Sequence, residues 1–315
     1  MEKINTEFKV NAYAESRIGG RSENQDSYGY ADTPLGFLMV VCDGMGGLSG
    51  GKIASTVAVN AIIDYVMQSS EEGSIPVILS KAMTEANKAV IDASIRMQNN
   101  KEMGTTATAL LVNDKGACVA HVGDSRIYQI RGTKKVFRTF DHSMVFDMVK
   151  SKILTEEQAR LSAQSNIITR ALGIKDEVIV DTKELDYCKG DRFVLCSDGF
   201  HSVMTEKSFL NEIGANGNLN LILDNLAEKI DNIGKSKGGG HDNLTAAVVE
   251  MKQSSKRFKK KRLIKTVSWI LAIAIIVIAG SLIMSKTHKK HSINVNTNDT
   301  TIVADTTKMN TIQKK

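Results

Sequence analysis

The chain has 315 residues, of which 42% are hydrophobic, a composition that supports a folded domain with a buried core and excludes disorder throughout. The formal net charge is +6 at pH 7, but the last sixty residues hold 13 Lys and Arg against two acidic residues. The first 255 residues therefore hold 28 basic and 33 acidic residues, a net charge of −5. Because the folded part is not basic overall, we expect no nucleic-acid partner.

Strand patterns and two long helical patterns alternate in the first part of the chain. EFKVNAYAES and SYGYAD are typical of strands around a loop, and FLMVVC is a continuous apolar run of the kind found in strands buried on both faces. Apolar residues at helical spacing then predict helices over 52–67 and 75–97.

Hairpin patterns dominate the middle of the chain. TTATALLV, ACVAHV and RIYQI are separated by the turn sequences NDKG and GDS. Two short helices, over 144–150 and 155–162, precede the strands VIVDTKEL and DRFVLCS. A helix near 219–230, a Gly-rich loop and the strand LTAAVVEM follow. This order has no regular βαβ alternation, so the predicted fold class is α+β, with layered sheets and helices.

Residues 266–285 contain no charge in a run of twenty, which matches the length that a helix needs to cross a bilayer. A buried core helix is the alternative, but this stretch is apolar on every side. Seven Lys and Arg lie between Lys256 and Lys265, and three follow the stretch at 286–290. This asymmetry predicts a single-pass protein of the cell membrane with its N-terminal domain in the cytoplasm. The N-terminal sequence MEKINTEFKV lacks the apolar stretch of a secretory signal.

The sequence thus predicts four segments along the chain. They are a folded domain (1–252), a basic juxtamembrane linker (253–265), the transmembrane helix (266–285), through which the chain contacts membrane lipid, and a polar tail (286–315). The tail is rich in Asn and Thr, a composition typical of disorder.

Four aspartates lie at predicted strand ends. Asp43, Asp124 and Asp198 each follow an apolar strand, and Asp242 lies just before the strand LTAAVV. A single Asp-Gly pair after a strand is usually only a turn. If these strand ends meet, however, several carboxylates share one cleft, where their repulsion is tolerable only with a cation between them. Ligands that are all oxygen indicate Mg²⁺ or Mn²⁺ and not zinc.

Eight motifs occur in a fixed order: RSENQD (21–26), VCDGMGG (41–47), MGTT (103–106), HVGDSR (121–126), DHS (141–143), NIITRALG (166–173), SDGF (197–200) and GHDNLT (240–245). Together they resemble the metal-dependent protein phosphatases, also called type 2C Ser/Thr phosphatases, and the DGMGG form resembles the bacterial branch. The resemblance covers nearly all of residues 10–250. It implies an α-β-β-α sandwich, two antiparallel sheets flanked by helices, with the metal ions at one end.

The resemblance also implies a set of metal ligands. Asp43 would bridge two Mg²⁺ or Mn²⁺ ions, and the Gly44 carbonyl would bind one of them. Asp198 and Asp242 would bind the other ion. Asp124, with Asp198, matches positions that hold a third, weaker metal.

Two further residues match catalytic positions of the family. Arg21 would clamp the phosphate with its planar guanidinium, for which Lys is a poor substitute. Asp26 would orient a water at the metal centre. Residues 140–177 match the flap beside the cleft, where substrates would be selected.

Three positions depart from the family pattern. Gln25 stands where many relatives carry a metal-binding Glu, so metal affinity at that site is expected to be weaker. Met45 stands where eukaryotic relatives place a histidine that protonates the leaving group; His241 could replace it, although a solvated loop residue is the expected structure there. Lys52 replaces an acidic residue at a helix start.

Together, these inferences predict a membrane-anchored phosphatase that depends on Mg²⁺ or Mn²⁺. It would hydrolyse phosphoserine and phosphothreonine in proteins with a metal-activated water. Its partners would be phosphorylated proteins, among them a Ser/Thr kinase whose action it opposes. The main alternative is a catalytically silent membrane scaffold that binds phosphoproteins. A cysteine-based phosphatase is excluded because none of the four cysteines (Cys42, Cys118, Cys188 and Cys196) has an Arg six positions later.

Overall fold

The first of two antiparallel sheets contains six strands: β1 (Glu2–Ile4), β2 (Val10–Arg17), β8 (Arg126–Arg131), β9 (Lys134–Arg138), β11 (Asp191–Cys196) and β12 (Leu244–Met251). Across the sheet their order is β1-β2-β12-β11-β8-β9. The computed structural model describes residues 1–47, 50–70, 73–97, 103–162, 164 and 166–296, with side chains as far as residue 282.

The second sheet contains β3 (Asp26–Thr33), β4 (Gly36–Met45), β5 (Gly104–Thr105), β6 (Ala107–Val112), β7 (Ala117–Val122) and β10 (Asp181–Leu185). The strand order is β10-β7-β6-β4-β3, and the short β5 pairs with the end of β4. Every pair is antiparallel.

Alternation along the strands divides the core into layers. In β4, Met39 and Val41 face the other sheet, whereas Val40 and Cys42 face the helices on the outside. Because successive side chains of a strand point to opposite faces, a strand between two apolar layers is apolar throughout. This explains the continuous run FLMVVC that predicted burial on both faces.

Helices cover both outer faces of the sandwich. The second sheet is covered by α1 (Gly50–Met67) and α2 (Ile75–Arg96), and the first sheet by α5 (Asp198–His201), α6 (Glu206–Ile213) and α7 (Leu219–Ser236). Between β9 and β10 lie α3 (Met144–Lys150) and α4 (Glu156–Arg160). The predicted α-β-β-α sandwich is confirmed. The sequence patterns did not reveal β1, β9, α5 or α6.

The last helix, α8 (Lys256–Asn296), begins on the surface of the sandwich, and the first compact unit ends at Lys259. Ser255 is fully buried, Lys256 forms an ion pair with Asp114, and Arg257 forms one with Glu184 at 2.9 Å. Part of the basic sequence before the apolar stretch therefore contacts the sandwich.

Within the described part of the chain, the stretch Lys256–Leu282 is a helix long and apolar enough to cross a membrane, and none of its most apolar window is buried. A core helix of a soluble protein would be mostly buried. Residues 297–315 of the predicted tail lie outside the described residues. The boundaries between the four predicted segments remain predictions.

Candidate active site

Six site residues selected from the sequence line one cavity of about 900 Å³ at the end of the sandwich. They are Arg21, Asp43, Gly44, Asp124, Asp198 and Asp242. The four aspartates come from the end of β4, the turn after β7, the start of α5 and the turn before β12. The fold therefore brings these strand ends together at one cleft, as expected.

The backbone of Asp43 is fixed by two threonines of the MGTT motif. Its N–H donates to Thr106 Oγ1 at 2.9 Å, and its carbonyl accepts from Thr105 Oγ1 and from the Thr106 N–H, both at 2.9 Å. Thr106 Oγ1 also lies 2.7 Å from Ser125 Oγ. This network holds the end of β4 against the β5–β6 segment, so the Asp43 carboxylate has a defined place at the rim of the sheet.

Asp26 lies directly opposite Asp43 in the β3–β4 ladder. The hairpin turn consists of Pro34 and Leu35, with Thr33 paired to Gly36, so the antiparallel register makes these two aspartates partners. Like charges directly opposite each other destabilise a strand pair. This pairing could have been derived from the sequence, because a two-residue turn fixes the register of the whole hairpin.

Burial and mutual repulsion raise the pKa values of the site carboxylates. Burial first, then the charges of Asp26, Asp198, Asp124 and Asp242, raises the pKa of Asp43 well above its usual value. The pKa of Asp198 rises to about 7, mainly by burial and then by Asp242 and Asp26. Burial raises the pKa of Asp26 to about 6. Such a group of carboxylates is electrostatically unstable without an added cation.

The donor set suits a hard divalent ion. Within the described residues, buried oxygens Asp26 Oδ1 and Asp198 Oδ1 have no hydrogen-bond donor, and no three acidic, His or Cys side chains form a complete metal-ligand group. Mg²⁺ and Mn²⁺ prefer carboxylate and carbonyl oxygens, and Mg²⁺ keeps several waters and needs only one or two carboxylates. A group of carboxylates that lines an open cavity therefore fits such ions better than a closed zinc site.

Gly44 lies in the cavity wall at a close approach of two backbones. A Cβ at Gly44 would lie 2.0 Å from the Gly51 carbonyl oxygen, and a Cβ at Gly51 would lie 2.8 Å from the Gly44 carbonyl oxygen. Any side chain at either position would push the start of α1 away from the site. The sequence interpretation assigned Gly44 only a metal-binding carbonyl and did not identify Gly51.

Arg21 lies at the mouth of the cavity, half-exposed. Its Nη2 donates to Asp242 Oδ2 at 2.9 Å. The loop that carries Arg21 is held by Asn243, whose Nδ2 donates to the Ile18 carbonyl and whose Oδ1 accepts from the Gln25 N–H, both at 2.8 Å. Asn243 is buried, and the sequence interpretation missed its positioning role although its motif was recognised.

Comparison with known proteins identifies this fold and site. The sequence profile described as "Protein phosphatase 2C" matches residues 15–230, about two thirds of the chain. The chain belongs to the protein phosphatase 2C family. A serine/threonine phosphatase of Listeria monocytogenes serotype 4b is 30% identical over 237 residues, which are 74% of this chain and 88% of that protein.

Solved structures agree. The serine/threonine phosphatase of S. agalactiae has a TM-score of 0.69 and 29% identity, and the match covers 77% of this chain and 99% of that one. The catalytic domain of PstP, solved in complex with two manganese ions, has a TM-score of 0.62 and 30% identity, and its match covers 76% and 97% of the two chains. This protein is accordingly a serine/threonine protein phosphatase of the 2C type. Asp242 lies beyond the residues that the profile matches, so its place in the site depends on the geometry.

Met45 and His241, the two residues considered for protonation of the leaving group, lie in different places. Met45 lines the cavity. His241 does not: its ring packs against Gly234, and its Nε2 lies 2.8 Å from Asp231 Oδ1. The ring is mostly buried, not solvated as expected, and it points to α7 instead of the cleft. It is therefore a poor replacement for the missing acid.

Lys52, the replacement at the start of α1, contacts the site through the backbone. Its Nζ donates to the Asp26 carbonyl at 2.7 Å and to Ser27 Oγ at 3.1 Å. Gln25 lines the cavity, with Nε2 3.3 Å from both Glu23 Oε2 and the Gly46 carbonyl. Lys52 and Gln25 thus lie beside the cluster of aspartates, and neither adds a carboxylate to it.

Proposed function

We propose that this protein is a membrane-anchored Ser/Thr protein phosphatase that depends on Mg²⁺ or Mn²⁺. The observation that carries the proposal is the cavity into which Asp43, Asp124, Asp198 and Asp242 converge, where burial and the neighbouring carboxylates raise the pKa of Asp43 well above its usual value. The Gly44 carbonyl would complete the ligand set of two ions, and Asp124 with Asp198 would serve a third, weaker site. Bound there, the ions would lower the pKa of a water and neutralise charge on the phosphoryl group.

The chain's own residues would bind and orient the phosphorylated residue. Arg21 is placed to donate to phosphate oxygens, because its guanidinium has five N–H donors and contributes one of them to Asp242. Asp26 keeps Oδ1 without a donor in the described structure while Oδ2 accepts from Ser197 Oγ at 2.8 Å. A carboxylate fixed on one side and open on the other is suited to orienting a water.

The proposed substrates are phosphoserine and phosphothreonine in proteins, which the membership of the family supports. One of these proteins would be a Ser/Thr kinase whose phosphorylation the enzyme reverses.

Residues 266–285 would anchor the enzyme in the cell membrane with the catalytic domain in the cytoplasm. Two observations support this: the exposed apolar side chains of the helix, such as Trp269 and Ile276, and the excess of basic residues before it. A bilayer would cover these side chains, which water otherwise solvates at a free-energy cost.

Turnover tests the catalytic proposal. The full chain in mild detergent should hydrolyse a phosphothreonine peptide with Mn²⁺ or Mg²⁺, lose activity in chelator and regain it when the ion is restored. The matched control is Asp198→Asn, which removes one ligand charge. Phosphopeptide binding without turnover in either ion would leave the silent scaffold as the function.

Fractionation tests the anchor. The full chain should sediment with membranes and resist extraction by high salt, whereas a chain ending at Lys259 should stay in the supernatant. Protease added outside intact cells should cut only beyond Ser285. Salt-extractable full-length protein would contradict the anchor, and digestion of the catalytic domain would reverse the proposed orientation.

A further inference from the structure

A second cavity, of about 430 Å³, continues from the catalytic cavity along the protein surface. Met45 and Ile168 line both cavities, so they form the common wall. The second cavity is lined further by Ala171, Ile174 and Ile179, among others. We name it the isoleucine groove. Its walls are mainly aliphatic, in contrast to the carboxylates of the catalytic cavity.

Two of its isoleucines face solvent. Ile174 is 43% exposed and Ile179 is 68% exposed. Single exposed apolar residues are common on protein surfaces, but several around one concave surface mark a binding site. Because water solvates these side chains unfavourably, covering them with an aliphatic group is favourable.

The groove has a fixed position relative to the catalytic residues. Gly44 pairs with Thr105, and Thr105 pairs in turn with Leu172, with N–H to carbonyl distances of 2.8 and 3.0 Å. Three backbone segments therefore run side by side from the site to the groove. Neighbouring strands are about 4.8 Å apart, so the groove wall beside Leu172 lies about 10 Å from Gly44, and Met45 forms the wall nearest the site.

A buried side chain of α2 holds the loop that forms the groove wall. Asn87 Oδ1 accepts from the Gly173 N–H at 2.7 Å, and its Nδ2 donates to the Lys175 and Asp176 carbonyls at 2.8 and 3.1 Å. Asn87 is fully buried. The loop bearing Ile174 is thus fixed to Asn87 through three of its backbone groups, and the groove does not need to form when a ligand arrives.

Arg170, one of the two basic residues in the groove wall, already pairs with an acidic residue. Arg170 Nη1 lies 3.1 Å from Asp181 Oδ1 and 3.3 Å from His142 Nε2, and His142 Nε2 lies 3.2 Å from Asp181 Oδ2. The remaining charges in the lining are one of each sign, Lys175 and Glu177. Recognition in this groove is therefore apolar rather than directed at an acidic or a basic substrate.

We propose that the isoleucine groove binds an aliphatic side chain of the substrate protein, within three residues of the phosphorylated Ser or Thr. An extended peptide advances about 3.3 Å per residue, so the third residue from the phosphorylated one spans the ~10 Å to the groove. The proposal rests on the proposed function, since the occupant of the groove is the chain already held in the catalytic cavity. Ile174 and Ile179 are then specificity-determining residues.

Phosphothreonine peptides that differ by Leu or Ser at one position, from three residues before to three after the phosphothreonine, test the proposal. The full chain should prefer Leu at one or two positions by about tenfold in kcat/KM, the usual effect of one apolar contact. Ile179→Asp should abolish this preference and favour Lys at the same position, because it replaces an aliphatic side chain of the groove wall with a carboxylate.

Turnover of p-nitrophenyl phosphate separates the two proposals, since this substrate does not reach the groove. Ile179→Asp should leave it unchanged, and Ile153→Asp, equally exposed at 70% but outside the groove, should leave the Leu preference unchanged as well. Turnover of p-nitrophenyl phosphate with equal rates for Leu and Ser peptides would overturn the groove alone. No turnover of any substrate would overturn the proposed function and the groove with it. A dimer that Ile179→Asp dissociates, without a change in peptide preference, would assign the groove to a second copy of the chain.

Discussion

Two groups of buried carboxylates in this phosphatase have opposite environments. Asp191, at the start of β11, is fully buried and accepts hydrogen bonds from Arg131 at 2.7 and 2.8 Å, from Gln129 at 2.9 Å and from the Cys188 N–H at 3.0 Å. Burial alone would raise the pKa of Asp191, but these hydrogen bonds bring it below its usual value. Asp43 faces other carboxylates, and its pKa is raised well above the usual value.

The difference distinguishes a carboxylate that stabilises the fold from one that serves a ligand. A buried charge with a complete set of donors is part of the architecture, whereas a buried charge surrounded by like charges requires a partner that the chain does not supply. Among the residues that the structure describes, carboxylates of the second kind lie at the end of the sandwich that holds the catalytic cavity. The same substitution should therefore have opposite effects at the two places.

The largest expected effect is the loss of activity in Asp43→Asn. Turnover of a phosphothreonine peptide should fall by about a thousandfold or more, since a full charge leaves the shared metal centre. The metal-free protein should unfold at the same or a slightly higher temperature, because repulsion with Asp26 and Asp198 is relieved. Circular dichroism in chelator measures the second effect, and a large loss of metal-free stability would contradict it.

Asp191→Asn makes the same chemical change in the compensated environment. The amide directs a donor at Arg131, Gln129 or the Cys188 N–H, so the free energy of unfolding should fall by about 3 kcal/mol. Urea unfolding measures this loss. The folded fraction should retain a normal kcat, and a catalytic defect larger than the folding defect would remove the distinction between the two groups.

Arg21→Ala should act on the substrate. The guanidinium is expected to donate to phosphate, so KM for a phosphopeptide should rise about tenfold to a hundredfold, the effect of losing a charge-assisted hydrogen bond. Arg21→Lys should restore only part of the loss. Because Arg21 also pairs with Asp242, Mn²⁺ affinity should be measured in parallel. An unchanged KM would remove Arg21 from the substrate site.

The pH dependence of stability gives the smallest effect and has a definite sign. The pKa of Asp198 is about 7 in the folded protein, above its value of about 3.9 when unfolded, so the folded state binds more protons between these values. Metal-free stability should therefore fall as pH rises from about 4 to 7. In Asp198→Asn this decrease should shrink. The contribution of Asp191 behaves oppositely, since it is lost only when pH falls through its lowered pKa.

Local patterns in the sequence were sufficient for much of this fold. The strands β7 and β12 and the helix α3 have the predicted bounds, because each combines a clear periodicity with turn or capping residues at its ends. The helix α6 was missed although Thr205 caps it by accepting from the Ser208 N–H. The strand β9 was missed because the exposed Lys134 and Lys135 at its start resemble a loop.

The site was predicted less completely than the fold. Aspartates at strand ends are visible in the sequence, but the pairing of Asp242 with Arg21 joins residues 221 positions apart. The contact between Gly44 and Gly51 likewise depends on how α1 approaches β4. Such contacts are set by the packing of distant segments, and no local pattern encodes them.

A Mn²⁺ titration of the full chain, followed both by thermal unfolding and by hydrolysis of a phosphothreonine peptide, tests the central claim most directly. If one cation bound by the carboxylates around Asp43 both stabilises the fold and supports turnover, the unfolding temperature should begin to rise at the Mn²⁺ concentration that half-saturates turnover and should keep rising above it. Asp43→Asn should shift both curves together to higher Mn²⁺. Turnover that is complete in chelator, or that saturates independently of the stability increase, would contradict the assignment of this cavity as the metal-dependent catalytic centre.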